Sequence, residues 1–159
     1  MRIFMAIFVA LLAAGGVGCG ATRRDAGTSS VTSPGLTGAT VTFNSRDSGK
    51  DADSSVTVQL LRNNAELGAE ARLVGTKFDD HATSGPLALS VSAPFRRTDV
   101  DDARLRLRMT PDGKDDWTFD LQLSLNFADG SMQRFAWNGL RLDNASPERT
   151  LPLAPARLP

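Results

Sequence analysis

The 159-residue chain sets 18 Lys and Arg against 18 Asp and Glu, for a net charge of zero. A neutral chain of this size creates no field that would gather nucleic acid, and a lone cysteine excludes an internal disulfide framework. The acids are fifteen Asp against three Glu, which suits turns and disfavours helix interiors, and the absence of tyrosine argues against an aromatic sugar platform.

The N-terminus carries Arg2, then an apolar run over residues 3–14 of about the length of a signal h-region, too short to span a bilayer. Small residues (Gly15, Gly16, Gly18) follow, and then Cys19. This order resembles a bacterial lipoprotein signal, with Gly16 where such signals usually carry leucine. The resemblance implies removal of residues 1–18, lipidation of Cys19 and a membrane anchor. Cleavage after Gly18 or Ala21 with Cys19 incidental is the other reading, and gives a periplasmic or secreted chain. Residues 19–37 are poor in apolar bulk and read as a tether. About 140 residues remain, with a net charge of −1, enough for a single domain with a real core.

From there the apolar period is two, the mark of half-buried strands. Residues 39–43 form the first such stretch. Val56, Val58 and Leu60 alternate with Thr57 and Gln59. Residues 65–74 are the only stretch compatible with a helical turn, and Gly68 interrupts it. Leu87, Leu89 and Val91 alternate again, and Leu105, Leu107 and Met109 alternate with Arg104, Arg106 and Arg108. The clearest run is Trp117, Phe119, Leu121, Leu123, Leu125 and Phe127, predicting a long central strand with both tryptophans in phase with the core. Residues 135–142 supply another strand, and the proline-rich residues 154–159 are expected to be a disordered tail.

Two turns fix register. Ala128, Asp129 and Gly130 fit a three-residue hairpin loop with Gly130 in the left-handed position, which places Leu123 opposite Phe135 and Leu121 opposite Trp137. Pro111, Asp112 and Gly113 mark the preceding turn. If Met109 pairs with Trp117 there, Arg106 faces Asp120 across the strands. The fold class that follows is all-β: a single-domain antiparallel β-sandwich of about seven or eight strands over residues 38–153.

Residues 104–144 run from an Arg/Leu strand through a Pro-Asp-Gly-x-Asp-Asp-Trp turn to a Phe-Asp-Leu strand and then Phe135-x-Trp137-x-x-Leu140. This resembles the second half of PLAT (lipoxygenase homology, LH2) β-sandwich domains. Residues 51–56 are similar to the acidic loop before an early strand of that family. The resemblance implies a non-catalytic module that docks a protein or a lipid surface, in some members with calcium.

Two groups of side chains are candidates for binding. Asp47, Asp51 and Asp53, with Asp112, Asp115 and Asp116, lie in strand-end loops of the kind that supply oxygen ligands to calcium; turn capping accounts for the same residues. Arg104, Arg106 and Arg108 point outward from one strand and suit phosphate or carboxylate groups, or else pair across strands with Asp120. His81 is the only histidine and comes with no Gly-x-Ser-x-Gly elbow, paired Glu or Cys/His set, so it reads as a surface residue and the chain as no enzyme. The expected function is an envelope lipoprotein acting as a docking module. A carbohydrate- or peptidoglycan-associated module is the alternative.

Overall fold

The computed structural model describes residues 32–63, 66–92 and 94–159. The signal over residues 1–18, Cys19 and the tether as far as residue 31 lie outside the described residues. The eight strands are β1 (Leu36–Ser48), β2 (Ser55–Arg62), β3 (Glu66–Leu73), β4 (Leu87–Val91), β5 (Arg104–Thr110), β6 (Asp116–Phe127), β7 (Met132–Asp143) and β8 (Glu148–Pro152). All pair antiparallel in one sheet of order β7-β6-β1-β4-β3-β2-β5-β8. β4 turns the corner of that sheet, because Leu87–Leu89 pair with β1 while Ser90–Val91 pair with β3. The sheet thereby folds into two faces, β7-β6-β1 and β3-β2-β5-β8, which enclose one core. The all-β antiparallel sandwich expected from the apolar period is the fold.

β6 is central to its face, lying between β1 and β7, and its six inward side chains from Trp117 to Phe127 are all at most 3% exposed. Burial of each large apolar side chain in such a row contributes about 1.5–3 kcal/mol. Trp117 stacks between Phe78 (centroids 4.9 Å apart) and Phe119 (4.1 Å), and its indole N–H donates to the buried Ser45 Oγ at 2.9 Å. The hairpin after β6 has the expected register: Leu123 faces Phe135, Leu121 faces Trp137, and Gly130 has φ +79°.

Beyond Trp137 the inward positions of β7 switch from odd to even numbers, to Leu140 and Leu142. A bulge makes the switch: Leu121 pairs with Trp137 but Phe119 pairs with Leu140, and Gly139 takes φ +64°. The Asp120 carboxylate accepts the Gly139 N–H at 2.7 Å and fixes the bulge. Without the extra residue, Leu140 and Leu142 would point to solvent.

Three expectations are corrected. Residues 66–73 form β3 rather than a helical turn, because pairing with β2 buries Ala69 and Leu73; Gly68 is the extra residue of a bulge opposite Leu60 and Leu61. A Cβ on Gly68 would lie 2.7 Å from Phe95 Cδ2, so glycine here makes room for an aromatic ring. Residues 154–159 are not a loose tail. Ala154–Ala156 form a 3-10 turn, Arg157 bridges Phe135, and the Leu158 N–H donates to the Arg134 carbonyl at 2.8 Å. These contacts pair the otherwise free end of β7, which explains why prolines do not keep the segment off the domain. Finally, β5 and β6 form no hairpin. Residues 111–115 carry the chain from one face to the other, and β5 pairs with β2 and β8 instead.

The strand order gives the domain two ends. One gathers Thr32–Gly35, the β6–β7 hairpin, the 3-10 helix Arg97–Asp102 and the C-terminus. The other gathers the loops 49–54, 74–86, 111–115 and 144–147.

Candidate functional site: an arginine face and a buried lysine

With Leu105, Leu107 and Met109 turned inward and nearly fully buried, Arg104, Arg106 and Arg108 are fixed on the outer surface of β5. The pairing register surrounds them. Arg106 lies between Gln59 and Thr150, Arg108 between Thr57 and Glu148, and Thr57 in turn lies opposite Arg72 of β3. Four arginines therefore share one face, with Cα atoms about 7 Å apart between alternate residues of β5 and about 10 Å apart between β5 and β3. The Arg106 Nε donates to Gln59 Oε1 at 2.8 Å, and the Gln59 amide donates onward to Glu70. An amide thus stands between this guanidinium and the carboxylate. Among the described residues, Arg72, Arg104, Arg106 and Arg108 take part in no ion pair.

The Arg106–Asp120 pairing does not form, since the two residues lie on opposite faces of the sandwich. Asp120 belongs to Arg46 of β1, with Nη2 at 2.7 Å and Nε at 2.9 Å. Desolvation acts to raise this carboxyl, but the Gly139 N–H and the Arg46 guanidinium outweigh it and hold it below the usual carboxylate value. The residue that would have neutralised the arginine stripe is committed elsewhere.

At the far end, the two predicted acidic loops meet only in part. Carboxylate oxygens of Asp51, Asp53 and Asp115 come within 4.8 Å of one another. Asp47 is exposed beside His81 Nε2, at 3.8 Å. Asp112 contributes its backbone N–H to Ser54 Oγ at 2.9 Å, and Asp116 forms a two-point ion pair with Arg141 at 2.7 and 2.8 Å.

Beside the three gathered carboxylates sits Lys50, only 1% exposed. Its ammonium donates to the carbonyl oxygens of Asp51 (2.5 Å), Ser54 and Thr76 (2.7 Å). Burial pulls the ammonium below the ordinary lysine value, and Asp115, Asp53 and Asp51 offset part of that pull. Burial likewise pushes the Asp115 carboxyl up, against the pull of the Asp112 backbone N–H, while the Ser54 hydroxyl donates to it. Carbonyls and carboxylates around a cation are the oxygen donors calcium prefers. Here a side-chain ammonium takes the carbonyls. Nothing in the sequence marks Lys50, since a lysine between Gly49 and Asp51 in a polar loop reads as solvated.

His81 is exposed, with φ +56° and its backbone N–H on the Arg46 carbonyl at 3.0 Å. Trp117 is fully buried and Trp137 half-buried, packed on the core with its ring stacked on Phe135. No helix among the described residues is long and apolar enough to cross a membrane. No protein-family model matches the chain, and no curated protein is significantly similar to it.

Proposed function

We propose that this chain is an exported envelope lipoprotein, anchored through Cys19, whose β-sandwich is a non-catalytic module that docks an acidic partner protein on the arginine face of β5. The observation that carries the reading is the outer surface of β5 and β3, where Arg72, Arg104, Arg106 and Arg108 lie together with no carboxylate in salt-bridge contact among the described residues. Guanidiniums that spend their hydrogen bonds on no internal carboxylate are available for two-point contacts to external ones. The PLAT-like reading draws support from the order of elements, in which an Arg-bearing β5 leads through a turn to Trp117 at the start of the long β6. The anchor draws its support from the apolar run over residues 3–14 and the placing of the chain's lone cysteine just after it.

A photo-crosslinking residue at position 108 of the full chain, expressed in cells, tests the docking face. Adducts are expected at 108, are lost when Arg104, Arg106 and Arg72 are changed together to Gln, and are absent with the probe at position 124 on the opposite face. Equal adducts at 108 and 124 refute the assignment. Cys19→Ser is expected to release the protein from membranes; unchanged fractionation removes the lipid anchor from the proposal.

A further inference from the structure

We infer that the end of the domain built from Met132, Arg134, Arg157 and Leu158 is a second docking surface, and that its partner is the phosphate-bearing surface of a lipid bilayer. The inference rests on the anchored reading above, but on a different set of residues.

Met132 and Leu158 are large apolar side chains left 48% and 42% exposed at the same end of the domain. They wall one depression together with Arg134, Arg157 and Pro159. A neighbouring depression shares Gln133 and Arg157 with it and reaches Ser33 and Pro34. Two apolar tips beside guanidiniums on long aliphatic stems form an interfacial combination: the tips enter the acyl boundary while the stems lift the charges to headgroup level. Arg157 is shared with Asp101 at 2.7 Å, and Arg134 has no ion pair among the described residues. Gln133 lines the same depression, and its Oε1 is buried without a hydrogen-bond donor among those residues.

The point where the chain enters the domain selects the bilayer as the partner. Ser33 and Pro34 are pinned at this end, where the Ser33 hydroxyl accepts the Thr98 N–H at 3.1 Å and the Pro34 carbonyl accepts the Arg97 N–H at 2.9 Å. Twelve residues lie between Cys19 and Thr32, and the thirteen steps from one to the other cannot span more than about 45 Å. β1 alone, thirteen residues long, places the opposite end about 40 Å farther away. A lipid on Cys19 therefore holds the Met132–Leu158 end within about 45 Å of the bilayer, whereas the opposite end can lie about 40 Å farther out.

The test uses the full chain, processed in cells and reconstituted in vesicles of phosphatidylethanolamine and phosphatidylglycerol. Met132→Cys, Leu158→Cys and Val74→Cys each add one thiol, labelled with an environment-sensitive fluorophore. Val74, 64% exposed at the far end, is the reference. On vesicles, the labels at 132 and 158 are expected to shift to the blue and to become several-fold less accessible to iodide than the label at 74. Equal accessibility at all three sites in vesicle-bound protein overturns this inference and leaves the anchor standing. A parent chain that takes up label at Cys19 itself, or that does not float with the vesicles, overturns the anchored reading on which the inference depends.

Discussion

Replacing Lys50 by Met is expected to be among the most damaging single changes in the domain. The methionine keeps most of the buried volume but removes the ammonium that satisfies the carbonyls of Asp51, Ser54 and Thr76 and offsets the charge of Asp115, Asp53 and Asp51. Breaking a buried charged contact from one side costs about 3–5 kcal/mol. Asp51 and Asp53 are exposed and can recover water, which places the expectation near the lower end, about 3 kcal/mol. For a domain of this size that corresponds to a drop in Tm of roughly 10 °C. Urea unfolding followed by tryptophan fluorescence reads the change, since the Trp117 indole stacks on Phe78, whose backbone pairs with Lys50. The oxygen set left behind, three carbonyls and three carboxylates, has the composition of a calcium site. Millimolar calcium is therefore expected to restore part of the lost Tm in Lys50→Met and to leave the parent unchanged. A variant within about 1 kcal/mol of the parent refutes the claim that Lys50 holds these loops together. A calcium-dependent rise in the parent refutes the claim that the ammonium takes the cation's place.

Three further outcomes follow from the packing and the charges. Ser45→Ala leaves the buried Trp117 indole N–H without its acceptor and is expected to lower stability by about 1–3 kcal/mol in urea unfolding, with no change in fold by circular dichroism. Gly68→Val drives a Cβ to within 2.7 Å of the buried Phe95 ring and should lower stability by about 1–3 kcal/mol, whereas Gly85→Val, with open space around its Cβ position, should not. Asp115→Asn tests the pH dependence. Because the folded state holds this carboxyl above its unfolded value, the folded state binds more protons across that interval, and the parent loses stability as pH rises through the raised value. The difference in unfolding free energy, variant minus parent, should therefore become more favourable to the variant as pH rises from 3 to 7. A difference that is flat across that range, or that runs the other way, contradicts the assigned environment of Asp115.

The strands were legible in the sequence wherever the period of two is unbroken. Trp117 to Phe127 could only be a strand with six buried side chains, and Gly130 fixed the hairpin behind it, because a one-residue slip would have turned Phe135 and Trp137 outward. The phase change between Trp137 and Leu140 was also written in the residues, although its bulge appears only when Phe119 is seen to pair with Leu140. Residues 66–73 were misleading because an extra residue at Gly68 spoils the alternation that pairing with β2 restores.

Topology was beyond local reading. A short turn between two alternating strands suggests a hairpin, yet residues 111–115 cross between faces, because β5 gains two partners, β2 and β8, where a hairpin with β6 would displace β1 or β7. That single choice separates Arg106 from Asp120 and leaves the arginine face without the acid expected opposite it. The acidic loops show the same division. Sequence alone determined that aspartates would crowd the strand ends. Only the tertiary structure decided that Asp51, Asp53 and Asp115 meet there while Asp47, Asp112 and Asp116 do not, and that a buried lysine is the cation among them, because such contacts depend on loops brought together from 60 residues apart.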